Sequence, residues 1–270
     1  MPRAWLFMTG LRTLPQPHER WPEVLWLIRH GQSAGNVARD AADAAGDLRI
    51  ALDRRDVDVP LSALGCEQAR ALGHWFASGE EGARPEVILA SPYVRAVQTA
   101  EIFREAGGCD PDLRICIDER LREKEFGILD GLTTLGIHHY QPDQAEFRRV
   151  LGKFYHRPPG GESWVDVIFR LRALLDTVSL HYAGKRVMIV AHQVVVLCMR
   201  YIVEHLSEAE ILAIDKAGDI ANCAITQYRL DRSGKGDGEL VLEHYNMVAP
   251  MVREGTEPTR EPDRMVAARG

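Results

Sequence analysis

The sequence predicts an α/β chain built as three layers, αβα, around a mostly parallel, doubly wound sheet that carries a helical lid insertion. Short runs of β-formers, Val24 to Ile28, Val87 to Ala90 and Arg186 to Ala191, alternate with amphipathic helical stretches. That order gives parallel strands joined by crossover helices. Two of these runs deliver a histidine at their ends, in Arg29-His30-Gly31 and in His192-Gln193. In open α/β sheets the crevice beyond the carboxyl ends of the strands is where ligands bind, so an imidazole beside an always-charged arginine points to an anion pocket. With 270 residues, 46% of them hydrophobic, the chain can bury a real core as one domain over residues 1–248.

In chain order, residues 1–22 hold several prolines and no sustained periodicity, which reads as an irregular arm. After the first strand and its loop, Val37 to Asp56 is alanine-rich and charged, helical in character without an evident cap, and reads as a surface excursion. Ser62 is placed to cap an amphipathic helix whose stripe is Leu64, Ala69, Leu72, Trp75 and Phe76, ending at Gly79. Val87 to Ala90 then leads through Ser91-Pro92-Tyr93 into a helix over about Val94 to Ala106 that carries Arg95. Leu113 to Asp118 reads as a strand running into the charge-dense turn Glu119 to Gly127. Residues 132–161 show no strand pattern but recurrent aromatics, Tyr140, Phe147, Phe154 and Tyr155, and are expected to form a mostly helical lid. Ser163 and Asp166 have capping-box spacing ahead of a helix whose inner face is Trp164, Val167, Ile168, Leu171, Leu174 and Leu175. The nearly unbroken apolar run to Ala191 fits a strand buried on both faces, and an apolar helix follows to His205. Cys223 to Leu230 and Glu239 to Met247 read as a hairpin turning at Ser233 to Gly238, and residues 249–270 as a loosely attached, charged tail.

The formal charge of −6 argues against a general nucleic-acid binder, so any cationic feature is expected to be local. Cys66, Cys109, Cys116, Cys198 and Cys223 form no C-x-x-C pair, and their odd number gives neither a disulfide framework nor a zinc pattern. Reduced thiols and a cytoplasmic setting are the expectation. The opening stretch has only a very short apolar run before charges and prolines, so neither a signal peptide nor a membrane span is expected.

Six ordered blocks then stand out: LIRHGQSAGN at 27–36, VPLSALGCEQA at 59–69, SPYVRAVQTA at 91–100, LREKEFGILDGLT at 121–133, PGGES at 159–163 and IVAHQ at 189–193. Jointly they resemble the histidine phosphatase superfamily, with its phosphoglycerate mutase-like fold, from about Leu25 to Leu230. The resemblance implies that His30 is a nucleophile forming a phosphohistidine, that Arg29, Arg95 and His192 hold the transferring phosphoryl, and that Glu123 is the proton donor. The chemistry suits those residue types. A partly neutral imidazole can attack phosphorus if its other nitrogen is held as a donor. Phosphoryl transfer depends on positioned cations, and guanidinium forks match phosphate oxygens. A carboxyl beside a phosphate dianion holds its proton for the leaving alkoxide. Taken singly, His192 reads as a core histidine, and Glu119 and Glu125 compete with Glu123. Asn36, Gln193 and Ser33 are expected at the substrate, Ser33 equally as a brace for its turn. No metal and no cofactor is expected; His138, His139 and His156 lack ligand spacing.

Gln193 and FYHRPPGGES at 154–163 resemble the fructose-2,6-bisphosphatase domain and related phosphatases, so the expected reaction is hydrolysis of a small phosphorylated metabolite. Leu197 stands where that bisphosphatase has a sugar-phosphate-contacting arginine, so its substrate is not carried over. Arg148, Arg149, Lys153, Tyr155 and Arg157 could read a second acidic group or form a solvated face. Cofactor-dependent phosphoglycerate mutase and a non-catalytic binding protein on the same fold stay open as alternatives. The expected partners are the substrate and at most a second copy in a homodimer, with neither nucleic acid nor membrane.

Overall fold

The computed structural model describes residues 20–79, 84–233 and 238–260. Residues 1–19 of the expected arm, 234–237 of the expected hairpin turn and 261–270 of the expected tail lie outside the described residues. The strands are β1 (Val24–Arg29), β2 (Val87–Ala90), β3 (Ile115–Ile117), β4 (Arg186–Ala191), β5 (Ile225–Asp231) and β6 (Glu239–Met247). They form one sheet in the order β3-β2-β4-β1-β5-β6. The β1, β2, β3 and β4 pairings are parallel, and β5 and β6 add antiparallel.

Alternation along the strands divides the core into two layers. Leu25, Leu27, Leu89, Val187 and Ile189 face α6 (Trp164–His181) and α7 (Gln193–Val203), where Trp164, Leu171, Leu174, Val195 and Met199 are buried. Val24, Trp26, Ile28, Ile88 and Met188 face α2 (Ala63–Ala77) and α3 (Val94–Phe103) through Leu72, Phe76, Ala100 and Phe103. Both faces of β1 and β4 are therefore covered, which is why their sequences read as unbroken apolar runs. Ser62 and Ser163 cap α2 and α6 as expected, Ser163 reciprocally with Asp166. The expected lid contains α4 (Thr134–Tyr140) and α5 (Pro142–Tyr155).

Three differences from the sequence reading have physical causes. The excursion does have a cap: α1 (Ala34–Ala45) starts with a capping box between Ser33 and Asn36 and stops at Gly46, at φ 71°. A further helix, α8 (Glu208–Ala217), has no strong apolar stripe of its own and buries chiefly Ile211. The tail reading is corrected for residues 249–260. Here α9 (Ala249–Glu254) buries Met251 against Ala69 and Cys223, and the chain beyond it hydrogen-bonds into the core, where Thr259 is 8% exposed.

Candidate active site

Adjacent parallel strands deliver the chemistry. β1 ends at Arg29 and His30, β4 at His192, and β2 at Ser91, with Arg95 in the first turn of α3. Register ties the ends together, because the His30 amide donates to Ala191 O and the Ser91 amide to Val190 O. β3 leads into the turn that carries Glu123. Arg29, His30, Arg95, Glu123 and His192 are all buried, none more than 3% exposed. A cluster this desolvated and this cationic makes every electrostatic contact inside it strong.

His30 sits where two contacts define its ring. Nδ1 lies 2.6 Å from Gly31 O, and Arg95 Nε lies 3.1 Å from Nε2. A carbonyl can only accept and a guanidinium can only donate, so the proton belongs on Nδ1 and the lone pair on Nε2. That is the tautomer a nucleophilic imidazole requires. The His192 ring stands 5.1 Å from the His30 ring and 5.0 Å from Tyr93, with Nε2 2.7 Å from Ser91 Oγ. His192 also precedes α7, so the positive end of that helix is directed at the same place.

Arg29 donates to Ile220 O at 2.5 Å. Arg95 is gripped by Asp56 through both terminal nitrogens, at 3.0 and 3.3 Å, and its guanidinium lies 4.8 Å from the Tyr93 ring. Tyr93 donates to Glu125, and burial followed by that carboxylate pushes its hydroxyl well above the usual range, so it stays a neutral donor. The Glu123 turn is held from beneath by Glu162, which takes Arg122, Arg170 and the Glu125 amide. Burial opposes the Glu162 charge, but these donors outweigh it and keep its carboxyl below the ordinary range.

Of the expected substrate contacts, Ser33 and Asn36 are joined by the α1 cap, with Asn36 Oδ1 accepting from the Ser33 amide at 2.9 Å. Gln193 donates to Asp219 Oδ1 at 2.7 Å. Glu119 lies in a separate short helical turn and Glu125 faces Tyr93, which leaves Glu123 as the buried acid of the three. His138 and His139 are exposed on α4, and His156 is bonded to Gln144.

Sequence reasoning missed residues that act from a distance. Asp56 lies 39 positions from the arginine it orients. Asn222 Nδ2 donates to the His30 carbonyl at 2.9 Å, and the following Cys223, held at φ 54°, donates its amide to Arg29 O. Thr259 donates to Asn222 Oδ1 and accepts from Gln68 Nε2, while Gln68 Oε1 accepts the Gln32 amide. Residues near the far end of the chain thus clamp both sides of the histidine loop. Thr259→Val, which keeps the shape and removes the hydroxyl with both of its hydrogen bonds, is expected to lower kcat by about 3- to 10-fold, since each such bond is worth on the order of 1 kcal/mol and only part of the loss is felt at His30. KM should stay within about twofold, since Thr259 reaches the reaction only through the loop. Steady-state kinetics check this.

Residues 25–237 match the family model of the histidine phosphatase superfamily, branch 1. A 6-phosphofructo-2-kinase/fructose-2,6-bisphosphatase of Caenorhabditis elegans is 32% identical over 179 residues, 66% of this chain and 33% of that longer protein. This chain thus spans about a third of the worm protein's length. A probable phosphoglycerate mutase of Yersinia enterocolitica is 29% identical over 177 residues, 65% of this chain and 72% of that protein. Among solved structures, a mycobacterial glucosyl-3-phosphoglycerate phosphatase in complex with VO3 superposes with a TM-score of 0.64 at 27% identity, covering 83% of this chain and 99% of its own.

Proposed function

The chain belongs to the histidine phosphatase superfamily, and from that premise we propose that it is a metal-independent phosphomonoesterase that works through a phosphohistidine at His30 on a small phosphorylated metabolite. The observation that carries this reading is the fixed tautomer of His30, with its Nε2 lone pair held beside Arg95 in a buried cationic cluster.

In the first step Nε2 attacks phosphorus as the ester P–O bond breaks. Positive charge developing on the ring is met by the Gly31 carbonyl through Nδ1–H, and Glu123 gives its proton to the leaving alkoxide. Arg29, Arg95 and His192 donate to the phosphoryl oxygens, whose charge spreads in the transition state. Arg95 exchanges its Nε2 contact for an oxygen of the substrate. Asn36 and Gln193 add neutral amide donors. In the second step the Glu123 carboxylate takes a proton from water, the oxygen attacks phosphorus, and the P–N bond breaks to regenerate neutral His30 and inorganic phosphate.

Mutase chemistry is the second reading, favoured by the Yersinia relative's name. It is tested by supplying 3-phosphoglycerate with a bisphosphoglycerate primer. Phosphate release is expected to outpace conversion to 2-phosphoglycerate, and isomerisation outpacing hydrolysis would replace the proposed reaction. The fold has no helix, among the described residues, long and apolar enough to cross a membrane. All five cysteines are unpaired thiols, three of them buried, which supports placing the enzyme in the reducing cytoplasm. A single copy supplies every group in the mechanism, and a homodimer would add to it without completing it.

A further inference from the structure

Among the described residues, α1, α2, α4, α6 and α8 each start on a hydroxyl that turns back onto the helix, from Ser33, Ser62, Thr133, Ser163 and Ser207. α3 starts instead on Tyr93, whose side chain makes no cap bond. The position thereby gives up an N-cap that serine or threonine would supply. Local rules are broken in this way where a site needs the side chain elsewhere.

Tyr93 is 5% exposed and reaches both halves of the site. Its ring stands edge-on to His192, at 5.0 Å between centroids, and lies 4.8 Å from the Arg95 guanidinium carbon. A guanidinium is attracted to an aromatic face, so the ring restrains the cation that lies against it. The Tyr93 amide donates to Ser91 Oγ at 3.3 Å, the same oxygen that meets His192 Nε2 at 2.7 Å. At the far end of the ring, the hydroxyl donates to Glu125 Oε1 at 3.1 Å. Glu125 is exposed and lies two residues after the proposed acid, in a turn that Glu162 and Arg170 already hold from beneath. One rigid side chain therefore spans from the phosphoryl-holding cations to the turn that carries Glu123. Such a link matters because proton transfer needs the carboxyl within hydrogen-bond reach of the leaving oxygen, and a displacement of about 1 Å costs on the order of 10²-fold.

Resting on the phosphatase reading above, we propose that Tyr93 is a positioning residue with two separable roles. Its hydroxyl, through Glu125, sets the distance from Glu123 to the leaving oxygen, and its ring holds Arg95 and His192 in place for the phosphoryl group.

The test separates the two ends of the side chain. Tyr93→Phe keeps the ring and removes the hydroxyl. The alkyl substrate is whichever of 3-phosphoglycerate, glucose 6-phosphate and fructose 6-phosphate the wild type hydrolyses fastest, and p-nitrophenyl phosphate is the aryl substrate. Because kcat/KM follows the reaction only as far as departure of the alcohol, it reports on the proton donor. With Tyr93→Phe it is expected to fall by about 3- to 10-fold for the alkyl substrate and to stay within about twofold for the aryl one, whose phenolate needs no proton. The inhibition constant of orthovanadate should also stay within about twofold. A merely structural role would slow both substrates equally, and that result, or no change in either, would overturn the hydroxyl's role. Glu125→Ala should reproduce the Tyr93→Phe pattern, and the double variant should be no slower than the slower single one; additive losses would show that the two residues act separately. Tyr93→Leu also removes the ring contacts and is expected to raise the orthovanadate constant by about 3- to 10-fold, while an unchanged constant would overturn the ring's role. The phenylalanine variant, which keeps the shape, carries the test if the leucine variant does not fold. His30-dependent hydrolysis of p-nitrophenyl phosphate by the wild type reports separately on the phosphatase reading, so the two can fail independently.

Discussion

His30→Ala is expected to lower metal-free phosphate release by roughly 10⁴-fold or more, because the two-step route loses its nucleophile while the cationic cluster remains. The loss should be equal for aryl and alkyl phosphates, since neither can react without the P–N bond. Substrate binding should persist, held by Arg29, Arg95 and His192, so equilibrium binding of inorganic phosphate is expected to change by less than about tenfold while turnover collapses. Far-ultraviolet circular dichroism would confirm that the buried site tolerates the truncation. Phosphate release unchanged by this substitution would remove His30 as the nucleophile and with it the proposed phosphohistidine route.

Glu123→Gln is expected to divide substrates by leaving group. A general acid contributes on the order of 10²- to 10⁴-fold, and only where the departing oxygen needs a proton. Alkyl phosphates should therefore slow by about that factor, while p-nitrophenyl phosphate, whose phenolate leaves unaided, should slow by no more than about tenfold in the step that releases it. Glutamine keeps the size and the hydrogen bond that Oε1 accepts from the Lys124 amide, so the turn should hold its shape. Equal slowing of both substrate types would move the proton donor elsewhere, with Glu119 and Glu125 the next acids in the same run.

What was legible in the sequence followed local physics. β1 and β4 announced themselves because both faces are buried, and Ser62 and Ser163 because an N-cap is a matter of a few adjacent residues. The strand-end histidines were legible for the same reason, and the structure brings them to within 5.1 Å of each other. The unread parts are those decided by partners far along the chain. Asp56 looked like one charge among many in an exposed excursion, yet it grips Arg95. Residues 249–260 have the composition of a solvated tail, and only the tertiary fold shows Met251 filling a gap beside Ala69 and Thr259 bracing Asn222. Ser33 and Asn36 illustrate a different ambiguity, since the same polar side chains that suit a phosphate loop also suit a helix start, and here they make the α1 cap. α8 escaped because it packs with a narrow apolar edge and its neighbours supply the rest of the surface.

The central claim is a covalent phosphoryl group on His30 Nε2, and rapid quenching of a single turnover tests it most directly. Mixing enzyme with a labelled substrate, stopping the reaction in alkali and mapping the label by mass spectrometry should give an acid-labile, alkali-stable phosphoramidate on the peptide containing His30. It should form before free phosphate appears and be absent from His30→Ala. Label on another residue, or phosphate release at full rate with no phosphoenzyme formed on the way, would contradict the account.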